Sequence, residues 1–106
     1  MPVDRLETLK KFIETNPGDC FARYGVAQEY LKRGEYENAL DQFTRIFEIK
    51  PDYQAAYYHG AKTYEKLGRL EEARATYRKG IEVASRSGDL HAQSELQAAL
   101  DELSGR

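Results

Sequence analysis

Shifted by 34 residues, the chain meets its own sequence. Residues 20–53 match residues 54–87 at nine positions: Ala22 with Ala56, Tyr24 with Tyr58, Ala27 with Ala61, Tyr30 with Tyr64, Lys32 with Lys66, Gly34 with Gly68, Glu37 with Glu71, Ala39 with Ala73 and Glu48 with Glu82. Composition alone would give about two. The same offset pairs Leu6 with Leu40, Glu14 with Glu48 and Pro17 with Pro51, so residues 1–19 read as the second half of a preceding unit. A period of this length marks an array of small units, none of which buries its apolar face alone.

Within each unit the apolar residues recur at helical spacing: Val26, Ala27 and Tyr30, then Ala39, Leu40, Phe43, Ile46 and Phe47. Two short helices per unit follow. Gly34 and Gly68 stand between them, where the chain must stop and turn. Pro17 and Pro51 cannot continue a helix and mark unit boundaries. No stretch alternates with the period of two that a strand requires. The pattern predicts six helices over Pro2–Thr15, Phe21–Arg33, Tyr36–Ile49, Gln54–Leu67, Leu70–Arg86 and Asp89–Leu103.

The small residues have a packing reason. Ala27 and Ala61 on first helices, and Ala39 and Ala73 on second helices, let the pair approach closely, while Tyr30, Tyr64, Phe43 and Tyr77 fill the space beside them. The last pair needs a lid, and residues 89–103 supply it, with Leu96, Leu100 and Leu103 on one stripe, Ala92 and Ala99 alongside, and Glu95, Gln97, Asp101 and Glu102 toward water. Gly80, which costs about 1 kcal/mol relative to alanine inside a helix, is expected to let this lid come close.

With 41% hydrophobic and 32% charged residues, the chain is too apolar for disorder and fits a thin helical object. Its 16 Lys and Arg against 18 Asp and Glu argue against a nucleic-acid partner, which selects a basic excess. The single Cys20 forms no internal disulfide and suits a reducing compartment. No run approaches the roughly 18 apolar residues of a membrane span, and no apolar leader opens the chain, so a cytoplasmic location without membrane contact is expected.

The pattern of large, small and tyrosine residues, then alanine, an aromatic and proline, resembles the tetratricopeptide repeat (TPR). Val26, Ala27, Tyr30, Gly34, Ala39, Phe43 and Pro51 fit it in the first unit, and Tyr57, Ala61, Tyr64, Gly68, Ala73 and Tyr77 in the second. Arg23, Gly60 and Ser85 depart from it, standing where an aromatic, a large apolar residue and a third proline are usual. The resemblance implies an all-α solenoid of antiparallel helix pairs in a right-handed superhelix. One domain over residues 1–106 would comprise a half repeat (1–19), two repeats (20–53 and 54–87) and a capping helix with tail (88–106).

The residues point away from catalysis, metal and cofactor. Neither histidine stands near Cys20 in sequence, His91 and Glu95 make the spacing of an ordinary i, i+4 contact, and the glycines form no phosphate loop. Binding remains. Beside the core face of each first helix runs a second stripe: Phe21, Tyr24, Gln28 and Leu31 in one unit, Ala55, Tyr58, Lys62 and Glu65 in the next. In TPR proteins this stripe lines a concave groove that holds an extended peptide or a partner's helix. The resemblance therefore implies an aromatic floor of Phe21, Tyr24, Leu31 and Tyr58 bordered by Gln28, Lys32, His59, Lys62 and Lys66, suited to a peptide with apolar side chains and a carboxylate. Recurrence of Tyr24 and Tyr58 fits packing as well as partner contact. The carboxylate clamp of chaperone-binding TPR domains is not carried over, since Tyr24, Gln28, His59, Asp89 and Gln93 occupy its positions. Alternatively, the open apolar side of the first helix, with Leu6, Leu9, Phe12 and Ile13, could join two copies in a homodimer.

Overall fold

The computed structural model describes residues 4–105. They form six α-helices, and no strand occurs among them: α1 (Arg5–Thr15), α2 (Cys20–Lys32), α3 (Tyr36–Ile49), α4 (Ala55–Lys66), α5 (Leu70–Ser87) and α6 (Leu90–Ser104). Three starts are set by aspartate caps. Asp4, Asp19 and Asp89 each accept a backbone N–H of the first turn, from Leu6, Ala22 and Ala92, at 3.0 Å. The cap at Asp4 places the start of α1 at Arg5 rather than at Pro2; Pro2 and Val3 lie outside the described residues. Every other helix end falls within one residue of expectation.

Gly34 and Gly68 close α2 and α4 with φ of 72° and 74°. In that left-handed conformation the Glu35 and Arg69 N–H groups donate to the Tyr30 and Tyr64 carbonyls at 2.9 Å, satisfying the last turns. α5 has 18 residues where α3 has 14. Pro51 follows the Lys50 cap of α3, whereas Ser85, at the equivalent position, lets α5 run on to Ser87, capped by Gly88.

The chain divides into two compact units, one ending at Tyr53 and the other beginning at Gln54. In the first, α2 packs against both α1 and α3. Its buried residues include Leu6, Ala22, Val26, Ala27, Ala39, Leu40, Phe43 and Ile46, and both alanines expected at the close helix contact, 27 and 39, are fully buried. Gly25 seats the Leu9 side chain of α1, whose Cδ1 lies 3.1 Å from where a Cβ would stand. Arg23, standing where an aromatic is usual, is held by two hydrogen bonds: Nε donates to the Pro17 carbonyl at 2.8 Å and Nη1 to Gln42 Oε1 at 3.0 Å. A buried cation needs its N–H groups satisfied, and these two bonds tie the α1–α2 loop and α3 to one side chain.

In the second unit α5 packs between α4 and α6. Ala61, Ala73, Tyr77, Ala84, Leu96, Ala99, Leu100 and Leu103 form one apolar cluster, with α6 acting as the lid. Glu95, Gln97, Asp101 and Glu102 are exposed, as expected. Gly80 admits more than the lid. A Cβ there would stand 2.7 Å from Tyr57 Cβ on α4 and 3.2 Å from Leu96 Cδ1 on α6, so the tighter constraint is α4. Gln54 braces the end of α5 to the start of α6, donating to Asp89 Oδ2 at 2.7 Å and accepting from Ser87 Oγ at 2.9 Å.

Candidate functional site

The expected binding residues fall on α2 and α4, one helix in each unit. Phe21 stands in the first turn of α2, 78% exposed. One turn on, Tyr24 is half-buried, its ring edge-on to Phe43 at 6.3 Å and tilted against Tyr53 at 6.0 Å. Burial pushes the Tyr24 phenol up, and a hydrogen bond with Gln28 draws it partly back, so these two stripe residues form one polar and aromatic contact. Leu31 completes the stripe, half-buried. Lys32 is drawn the other way. Its ammonium lies 3.2 Å from Glu29, a carboxylate that also lies 3.7 Å from Arg5 Nε on α1.

Two contributors come from outside the first helix. Tyr53 reaches the stripe because the α2–α3 pair is antiparallel, which returns the end of α3 to the start of α2; Lys50 stands over its ring at 5.9 Å. The hairpin register carries this signal, but helical spacing along α2 alone does not. Cys20 lies beneath, buried, with its thiol pushed up by that burial, so it stays protonated at neutral pH and is a poor nucleophile.

On α4, Tyr58 meets the His59 ring at 5.5 Å and the Tyr77 ring at 6.4 Å, both edge-on. Lys62 lies over the Tyr58 ring at 5.6 Å and 3.7 Å from Glu65 Oε2. The Tyr77 hydroxyl donates to the same carboxylate. Tyr58, His59 and Lys62 thus form one group supported by Glu65 and Tyr77, while Lys66 is exposed in the last turn. Glu65 stood on the expected stripe; its anchoring by Tyr77 depends on packing between helices that spacing does not reveal.

Burial holds the His59 imidazole below its ordinary 6.5, against a smaller opposing pull from Glu95 on α6. The unfolded chain then takes up the proton first, so the stability of the folded form is complete above about pH 6.5 and falls as pH drops through and below that value. Urea midpoints at about pH 7.5 and pH 5.5 should show this loss in the wild type and a smaller one in His59→Gln. Asp89, held low by the Ala92 N–H and Gln54, and Glu72, held low by Arg69, respond only in more acid solution, below their ordinary 3.8 and 4.5.

Among the described residues, no group of three or more His, Cys, Asp or Glu is placed to hold a metal ion, and no helix is long and apolar enough to cross a membrane.

The TPR family model matches residues 30–100. A TPR repeat-containing protein of Pseudomonas aeruginosa is 29% identical over 98 residues, which are 92% of this chain and 93% of the relative. DnaJ homolog subfamily C member 3 of Rattus norvegicus is 32% identical over 97 residues, and there the match spans only 19% of the longer protein. Among solved structures, a TPR domain protein from Salinibacter ruber is 45% identical with a TM-score of 0.78, covering 82% of this chain and 97% of that one. PcrH, solved in complex with the chaperone binding region of PopD, aligns with a TM-score of 0.89 at 17% identity over 95% of this chain and 77% of its own, a likeness of fold. Proteins built on this repeat are in general non-catalytic and mediate contacts between proteins. With a model match over two thirds of its length and the 34-residue period in its helices, the chain belongs to the tetratricopeptide-repeat family.

Proposed function

We propose that the chain is a non-catalytic interaction module whose first helices present binding stripes to an extended peptide or helix of a partner protein. The observation that carries this reading is on α2, where the strongly exposed Phe21 adjoins half-buried Tyr24, Gln28 and Leu31. Tyr24 is already fixed by packing on Phe43 and Tyr53 and loses little freedom on binding, Phe21 adds an exposed apolar ring beside it, and aromatics dominate interface energies. Lys50 at the edge of the α2 stripe, and Lys62 and Lys66 on α4, favour a ligand that combines apolar side chains with a carboxylate. PcrH, of the same fold, was solved with a segment of another protein, which supports a peptide as the ligand class.

The test is selection of peptides from a random display library on the immobilised protein, followed by titration of the best binder into the isotope-labelled chain. Amide shifts centred on Tyr24, Tyr58 and Lys62 are expected. Tyr24→Ala combined with Tyr58→Ala should weaken binding at least about tenfold while circular dichroism stays helical. Shifts confined to α3 and α5 would overturn the reading.

A further inference from the structure

The α2 stripe changes character along its length. Phe21, 78% exposed, and half-buried Leu31 bound it, ten residues and about 15 Å apart along the helix axis. Between them Tyr24 and Gln28 share a hydrogen bond, which sets a phenol and an amide in the middle of an otherwise apolar row. Tyr24 cannot turn aside, because its ring is fixed against Phe43 and Tyr53. The cations at the two ends differ as well. Lys32, at the Leu31 end, lies 3.2 Å from Glu29. Lys50, at the Phe21 end, lies 5.9 Å over the Tyr53 ring and, among the described residues, enters no ion pair. Of its acidic neighbours, Asp19 is held by the Ala22 N–H at 3.0 Å at the positive end of α2, and Asp52 is exposed in the loop.

Resting on the interaction reading above, we propose that the α2 stripe takes an extended segment of a partner protein, with an acidic side chain at the Phe21 end whose carboxylate pairs with Lys50. Two apolar side chains four residues apart in such a segment point the same way, about 13 Å apart, and so meet Phe21 and Leu31 together. The polar middle selects this form over a helix. A helix laid on the row would press its apolar face on the Tyr24 hydroxyl and the Gln28 amide, whose remaining polar atoms would lose water without gaining partners. An extended chain instead carries main-chain N–H and C=O groups past them at every residue. The charges set the register. A carboxylate beside Leu31 finds Lys32 already shared with Glu29, whereas one beside Phe21 finds an ammonium whose charge is unmatched. The acidic group is a side chain: exposed Pro51 and Asp52 let the segment run on past Lys50, and a single ammonium gives a chain terminus no second cation.

Short peptides capped at both ends test this. Each has two leucines four residues apart, an aspartate two positions outside one of them and serine elsewhere; the aspartate is placed outside either leucine in turn, since both chain directions are allowed. They are titrated into the isotope-labelled chain up to millimolar concentration. Replacing the aspartate by asparagine should weaken binding about threefold, and Lys50→Gln should do the same, as for an exposed ion pair. With Lys50→Glu the order should invert, the asparagine peptide binding about threefold more tightly than the aspartate one. Lys50 caps α3 through its backbone N–H, so these variants keep the fold. Tyr24→Ala should weaken every peptide at least about tenfold. If it does so while the aspartate makes no difference, or while Lys32→Gln costs more than Lys50→Gln, the proposal falls and the interaction reading stands. Tighter binding of a helical peptide with leucines seven apart, or an acidic preference that appears only with a free carboxyl terminus, overturns it equally. If Tyr24→Ala changes nothing, the interaction reading fails with it.

Discussion

Phe43→Ala is expected to lower the unfolding free energy by about 3–5 kcal/mol, the usual effect of removing a fully buried aromatic ring. Phe43 has no solvent exposure, lies edge-on to Tyr24 at 6.3 Å, and shares its surroundings with Val26, Ala27, Ala39 and Ile46, which are equally buried. The alanines around it have no side chain that can swing into the gap, so the cavity persists. For a small domain such a loss is a large fraction of the whole stability. Urea unfolding followed by circular dichroism checks it, and a change below about 1 kcal/mol would show that Phe43 is not the keystone of the first unit.

Gly80→Val is expected to lower stability by about 3 kcal/mol, and Gly80→Ala by about 1 kcal/mol, the crowding outweighing alanine's gain in helix propensity. A Cβ at this position meets Tyr57 Cβ at 2.7 Å and Tyr57 Cγ at 3.3 Å. Tyr57 Cβ is fixed to its backbone, so α4 or α5 must shift. Truncating the ring, as in Tyr57→Ala, keeps the clashing atom and should not rescue either variant. Melting temperature is a sufficient readout, at about 4–8 °C per kcal/mol for a domain of this size. A more stable Gly80→Ala would mean that the helix pair has slack at this point.

The fold was legible because its determinants are local and repeated. Ala27, Ala39, Ala61 and Ala73 recur with the period and are all fully buried, and Gly34 and Gly68 occupy the left-handed turns that stop α2 and α4. Less was legible where a residue acts through a neighbour distant in sequence. Arg23 departs from the repeat pattern, and spacing gives no sign that its partners are a loop carbonyl and a glutamine on α3. Gly80 looked like an accommodation for α6, and its nearest contact is α4. The candidate stripe was readable on each helix, but Tyr53 and Tyr77 enter it from other helices and loops. Lys32 shares the period of the stripe and turns aside because Glu29 offers it a carboxylate.

The order in which the helices touch has a kinetic consequence. In the first unit α1 meets α2 and α2 meets α3; in the second α4 meets α5 and α5 meets α6. Such short loops close quickly, which places folding toward the fast end for a chain of this length. It also allows the amino-terminal half to acquire its contacts during synthesis, before Gln54 has left the ribosome.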